Sequence, residues 1–146
     1  MKKIFAFFNL VLLSTFLYSQ NGTYRCNIQR FTDDNNPSNN KEHNNSMIVT
    51  IDINDVTGGY VIISWPSENS TLKWDIIKKL NTSVDTEKKT VYTYYEARWN
   101  VGNVSGDKRV IASFIQDMNN NTFHIAFNNV SVGTTNWYHN LTRITN

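Results

Sequence analysis

Side chains able to do chemistry are few in this sequence, and they are scattered. One cysteine, Cys26, and three histidines, His43, His124 and His139, are the residues best suited to nucleophilic, acid–base or metal chemistry. A hydrolytic nucleophile needs a base within hydrogen-bond reach, and no Gly-x-Ser-x-Gly elbow is present to raise a serine. Cys26 shares the apolar parity of the first extended segment, where a free cysteine packs as a small hydrophobe. No His-x-His or His-x-x-x-His spacing puts two imidazoles on one face, as a zinc or iron site would. Asp52, Asn54 and Asp55 begin like a calcium loop, but Thr57 stands where the tight-turn glycine belongs and no glutamate closes the loop. They read as a polar turn. Glu96 suggests glycosidase chemistry, which takes two carboxylates at a defined separation. Arg98, two residues along the same face, offers it an ion pair instead. The expectation is a protein that is not an enzyme and holds no metal or cofactor.

Binding is easier to accommodate. Trp74, Trp99 and Trp137 are large, rigid, flat side chains that suit the mouth of a small β-barrel or the face of a sugar. Tyr92 and Tyr94 lie on the opposite face of the segment that carries Trp99. These five are the candidate ligand-binding residues, for a small apolar or aromatic molecule or a sugar. The rival reading is an extracellular interaction or adhesion module that turns Tyr60, Tyr92, Tyr94 and Ile111 toward a protein partner. Cavity volume separates the two, because a ligand site needs an apolar pocket of roughly 300 Å3 or more. On the barrel reading Trp99 is buried, and Trp99→Ala is expected to cost about 3–5 kcal/mol.

The elements that position these residues follow from period-two alternation. Gly22 to Phe31 places Tyr24, Cys26 and Ile28 on one side. Met47 to Val56 and Tyr60 to Trp65 form a hairpin about Thr57-Gly58-Gly59. Ser67 to Leu80 is ambiguous: Leu72, Trp74 and Ile76 alternate as in a strand, whereas Leu72, Ile76 and Leu80 repeat every four as in a helix. Strand is the preferred reading. Thr90 to Asn100 alternates most clearly, with Val91, Thr93, Tyr95, Ala97 and Trp99 inward. Lys108 to Gln116, Thr122 to Val130 and Trp137 to Ile144 complete eight strands, with Gly102 and Gly106 in the loop before Lys108. The polar stretch 32–46 has too little apolar surface to form an element and reads as a mobile loop. The fold class is therefore all-β, an antiparallel eight-strand meander. Its edges are best removed by closing into a small barrel, with a two-layer sandwich as the alternative. Tyr24, Ile28, Val49, Ile51, Ile63 and Trp65 form part of the expected interior. Trp74, Val110, Phe114, Phe123, Ile125, Phe127, Trp137 and Leu141 complete it.

Length and charge bound the rest. The 146 residues hold one ordinary domain. Lys2 and Lys3, the apolar run Ile4 to Leu17 and the small Ser19 have the grammar of an export leader, cut before Gln20. The expected division is a signal peptide at 1–19 and a single domain at 20–146, secreted or periplasmic, with no membrane span. Loss of Lys2 and Lys3 takes the formal charge from +2 to zero. Nucleic acid, which needs a basic footprint, is an improbable partner. Eight Asn-x-Ser/Thr triplets occur; they could carry glycans in a eukaryotic secretory pathway, but chance in an asparagine-rich sequence is the preferred reading.

Gly22-Thr23-Tyr24 at the start of the first strand and Arg143 near the end of the last are similar to the lipocalin arrangement. There, Gly-x-Trp near the N-terminus is covered by a late arginine. The likeness rests on these four positions, and Tyr24 stands in place of the tryptophan. It implies a small barrel in which Arg143 packs over the first strand.

Overall fold

The computed structural model describes residues 20–100 and 109–144, with the Asn100 side chain excepted. The proposed leader and the loop containing Gly102 and Gly106 lie outside the described residues. Eleven antiparallel strands make one sheet. They are β1 (Gly22–Cys26), β2 (Ile28–Asp33), β3 (Lys41–His43), β4 (Met47–Asn54), β5 (Gly58–Trp65) and β6 (Ser70–Asp85). β7 (Thr90–Asn100), β8 (Arg109–Asp117), β9 (Thr122–Asn129), β10 (Thr134–His139) and β11 (Thr142–Arg143) follow. β4 to β10 pair in chain order, each with the next. This is the expected meander, in a sheet with no second layer among the described residues.

The sheet curls because the strands next to its two ends, β1 and β2, belong to one interrupted strand. β1 pairs with β4 at one end, while β2 pairs with β10 at the other. Only Asn27 separates β1 from β2, so the two ends are held together covalently. The Cys26 thiol donates across this seam to the carbonyl oxygens of Ile28 and His139, both at 3.3 Å. The result is a barrel-like fold whose short outer strands, β3 and β11, lie beyond the seam. Two of the eight expected strands are each divided, at Asn27 and at Asn140–Leu141, and β3 is additional.

The interior is built from the inward parity of the long strands. Val49, Ile51, Val61, Ile63, Trp74, Ala97, Val110, Phe114, Ile125 and Phe127 pack into one cluster with Tyr24, Cys26 and Met47. Burial of this apolar surface is the main driving force for the fold.

Two expected interior residues face outward. Alternation from Tyr24 and Cys26 would continue to Ile28, but Ile28 pairs with His139 and Gln29 with the buried Tyr138. The face therefore switches at Asn27, where the chain passes from one end of the sheet to the other. On β10, Trp137 pairs with Ala126 and Tyr138 with Ile125. Directly paired residues share a face, so Tyr138 occupies the interior and Trp137 the outside.

Segment 67–80 is a strand, entered through a 3-10 turn at Pro66–Glu68. Its mixed periodicity has a local cause. The pairing with β7 skips Ile77 and Leu80, two bulges that leave both side chains exposed. Leu80 belongs to no helical stripe.

The 32–46 stretch has more structure than expected, including a 3-10 turn at Pro37–Asn39 and the exposed strand β3. Hydrogen bonds rather than burial hold it. Asp33 accepts the backbone N–H groups of Asn35 and Asn36 and the side-chain amide of Asn39, at 2.9–3.0 Å.

Arg143 lies against the start of the first strand. Arg143 pairs with Tyr24, and its guanidinium donates to the Asn21 carbonyl at 2.9 Å. A Cβ on Gly22 would lie 3.2 Å from that guanidinium, and glycine provides the room.

Candidate functional site

The inward face runs out of core at one end of the barrel, and there the strands enclose a cavity of about 370 Å3. Where one strand gives more than one residue, they alternate with period two. β2 contributes Gln29 and Phe31, and β6 contributes Leu72 and Trp74. Trp99, near the end of β7, and Val110, near the start of β8, come from neighbouring strands. Phe127 and Asn129 come from β9, while Thr134, Asn136 and Tyr138 alternate along β10. Val132, in the β9–β10 turn, completes the described lining. Most of the wall is aromatic or aliphatic, and none of the twelve described lining residues is charged.

The aromatic rings form a column. Trp74 stacks on Phe127 at 4.2 Å and 8°, and Trp99 lies over Trp74 at 6.0 Å and 24°. Tyr138 meets the edge of Phe127 at 6.2 Å. Trp74 and Tyr138 are buried, whereas Trp99 is 44% exposed. That exposure corrects the expectation of a buried Trp99: its parity is inward, but its place at the end of β7 puts it at the rim.

Two polar atoms of the wall lack a hydrogen-bond partner among the described residues, the Trp74 indole Nε1 and the Tyr138 hydroxyl. Both are buried, a condition that costs free energy unless something satisfies the group. Burial, with a smaller contribution from nearby Cys26, pushes the Tyr138 phenol far above its ordinary value. At neutral pH it remains a hydrogen-bond donor.

Of the five candidate residues, the structure brings Trp74 and Trp99 together in the cavity and leaves the other three outside it. Trp137 stacks on His139 at 5.6 Å, and His139 meets His124 edge-on at 5.4 Å, all on the outer face. Tyr92 and Tyr94 lie half-buried on the outer face of β7, stacked at 6.2 Å and 6°. Tyr138, Phe31 and Phe127 are the aromatic wall residues outside the candidate set. Phe127 belongs to the expected interior, whereas the signal for Tyr138 is concealed by the parity of β10.

The remaining reactive groups have structural partners. Glu96 lies 3.3 Å from the Lys78 ammonium and 3.4 Å from the Arg109 guanidinium. Its ion pairs cross to neighbouring strands instead of running to Arg98. Asn54 accepts the N–H groups of Val56 and Thr57 at 2.9 and 3.2 Å, as a turn cap does. Asp55 accepts from the Tyr95 hydroxyl at 3.0 Å and from Lys79 at 2.7 Å. Cys26 is fully buried and its thiol is pushed up by that burial. His124 accepts the Asn140 N–H at Nδ1 and lies near Thr122 through Nε2. Among the described residues, no three His, Cys, Asp or Glu side chains gather as metal ligands. No described helix is long and apolar enough to cross a membrane.

No family model, curated protein or solved structure matches the chain.

Proposed function

We propose that this protein is an exported, non-catalytic binding protein that takes a small, largely apolar or aromatic molecule into the barrel mouth. The observation that carries this reading is the cavity of about 370 Å3 with Trp74 and Trp99 in its wall. It lies within the roughly 300–1,000 Å3 range of small-ligand pockets. A solid interior would have favoured the adhesion reading. The half-exposed rim tryptophan gives an incoming ring or sugar face a surface to stack on, and the apolar depth favours a flat aromatic molecule over a sugar.

Intrinsic tryptophan fluorescence provides the test, because two of the four tryptophans line the site. Titration with naphthalene-sized aromatics should change the emission saturably. Trp99→Ala should weaken that binding about tenfold, as loss of a stacking surface worth ~1–1.5 kcal/mol would. Saturable binding that is unaffected by Trp99→Ala would place the ligand elsewhere. Saturation by glucose or galactose but by none of the aromatics would favour a sugar.

A further inference from the structure

The cavity wall carries a chemical instruction beyond its size. Its polar atoms come from Gln29, Asn129, Thr134, Asn136, Trp74 and Tyr138, with no cation and no carboxylate among the described lining residues. Trp74 and Tyr138 differ from the rim groups in being almost fully buried, at 4% and 0% exposure. Both rings pack against Phe127, so the two side chains belong to one deep region of the wall. Neither has a partner among the described residues. The indole N–H can only donate, and the phenol, held protonated by its burial, can donate as well. Two unsatisfied donors beside an apolar cavity call for an acceptor. An anion would be a poor one, because the described lining offers no opposite charge to repay its lost hydration.

We infer that the ligand is an uncharged, flat molecule bearing a carbonyl or ether oxygen, and that Trp74 Nε1 and the Tyr138 hydroxyl are the donors that receive this oxygen. This rests on the proposed cavity binding and adds to it a requirement for one neutral acceptor.

Three probes that share the naphthalene ring separate the possibilities: naphthalene, which has no polar atom, 2-acetylnaphthalene, which adds a neutral acceptor, and 2-naphthoate, which is anionic. Calorimetry and tryptophan fluorescence on the full mature protein should rank them acetylnaphthalene first, naphthalene second and naphthoate last. The first step should be about tenfold, as for one hydrogen bond gained in a buried site. Tyr138→Phe removes only the hydroxyl. It should reduce the preference for acetylnaphthalene over naphthalene about threefold or more. It should also leave the melting temperature of the ligand-free protein unchanged or raised, since an unsatisfied buried group has been deleted.

Equal binding of naphthalene and acetylnaphthalene by the wild type would overturn the inference while leaving cavity binding intact. So would tightest binding of naphthoate, or a clear loss of stability in ligand-free Tyr138→Phe, which would reveal a structural partner for the hydroxyl. Failure of all three probes to bind would overturn cavity binding together with the inference.

Discussion

A tryptophan's energetic role depends on where along its strand it falls as well as on which way it points. Trp99 and Phe114 both face inward, yet Phe114 is fully buried in mid-strand and Trp99 is 44% exposed at the end of β7. Trp99→Ala should therefore cost about 1 kcal/mol and Phe114→Ala about 3–5 kcal/mol in urea denaturation. Equal costs would contradict the placement of Trp99 at the rim. The outer histidines lead to a second prediction. Burial holds His124 and His139 below the ordinary imidazole value, and the mutual repulsion of the pair lowers His139 further. As pH falls through about 6.5, the unfolded chain takes up these protons first, so stability present above that pH is lost on acidification. Protonation would also remove the His124 acceptor that holds the Asn140 N–H. The melting temperature should drop between pH 7 and pH 5, and His139→Phe, which keeps a ring over Trp137, should flatten the drop. Asp33 and Asp117, held low mainly by hydrogen bonds, act in a separate window below the ordinary carboxylate value of about 3.9. An undiminished slope in His139→Phe would assign the acid sensitivity to other groups.

Elements are legible wherever a strand keeps one parity from end to end. The inward set of β7 and the outward Tyr92 and Tyr94 follow directly from alternation, as do the interior positions of β4, β8 and β9. Parity is a local signal, however, and it fails where the backbone inserts a residue. The change of face at Asn27 displaces Ile28, and the bulges at Ile77 and Leu80 imitate a helical repeat. Alternation leaves the face of β10 undecided because adjacent aromatics, Trp137 and Tyr138, mark both parities, and only the pairing of Tyr138 with Ile125 chooses between them. Segment 32–46 is hidden for a different reason: its order comes from an aspartate accepting several N–H groups, and hydropathy does not register this. Trp74 and Trp99 are legible as cavity residues, while the partner role of Tyr138 requires the cross-strand register. One glycine connects these elements. Gly58 has φ +80, and a Cβ there would meet the carbonyl oxygens of Ile76 and Ile77, where β6 bulges against the β4–β5 turn. Gly58→Ala should therefore destabilise the protein by more than about 2 kcal/mol, combining a strained backbone with a clash against main-chain atoms. A change below about 0.5 kcal/mol in thermal or urea melts would show that the turn can move away from β6.

At the scale of the whole molecule, β1 and β2 are covalently one strand but structurally the two ends of the sheet. Their junction at Asn27 holds the curled sheet together, while the β6–β7 turn only joins neighbours that already pair along Ser70–Asp85. The ends of the described chain also lie together, because the Ile144 N–H donates to the Thr23 carbonyl at 2.8 Å and Arg143 reaches Asn21. A short linker can therefore join them, the geometry in which circular permutation is tolerated. A permutant of residues 20–144 opened within the 86–89 turn should fold, because every strand keeps its pairing and only an exposed loop is cut. Its circular dichroism should remain that of a β-sheet and its melt should stay cooperative. A second permutant, opened at Asn27, keeps every pairing on paper, and β11 still ties β10 to β1, yet it loses the covalent junction of β1 with β2 and the seam around Cys26. It should melt more broadly and at a lower temperature, with the Cys26 thiol, buried in the intact protein, becoming reactive toward a disulfide reagent under native conditions. Equal stability of the two permutants would mean that side-chain packing and the β11 pairing suffice to hold the sheet curled and that the shared strand is incidental.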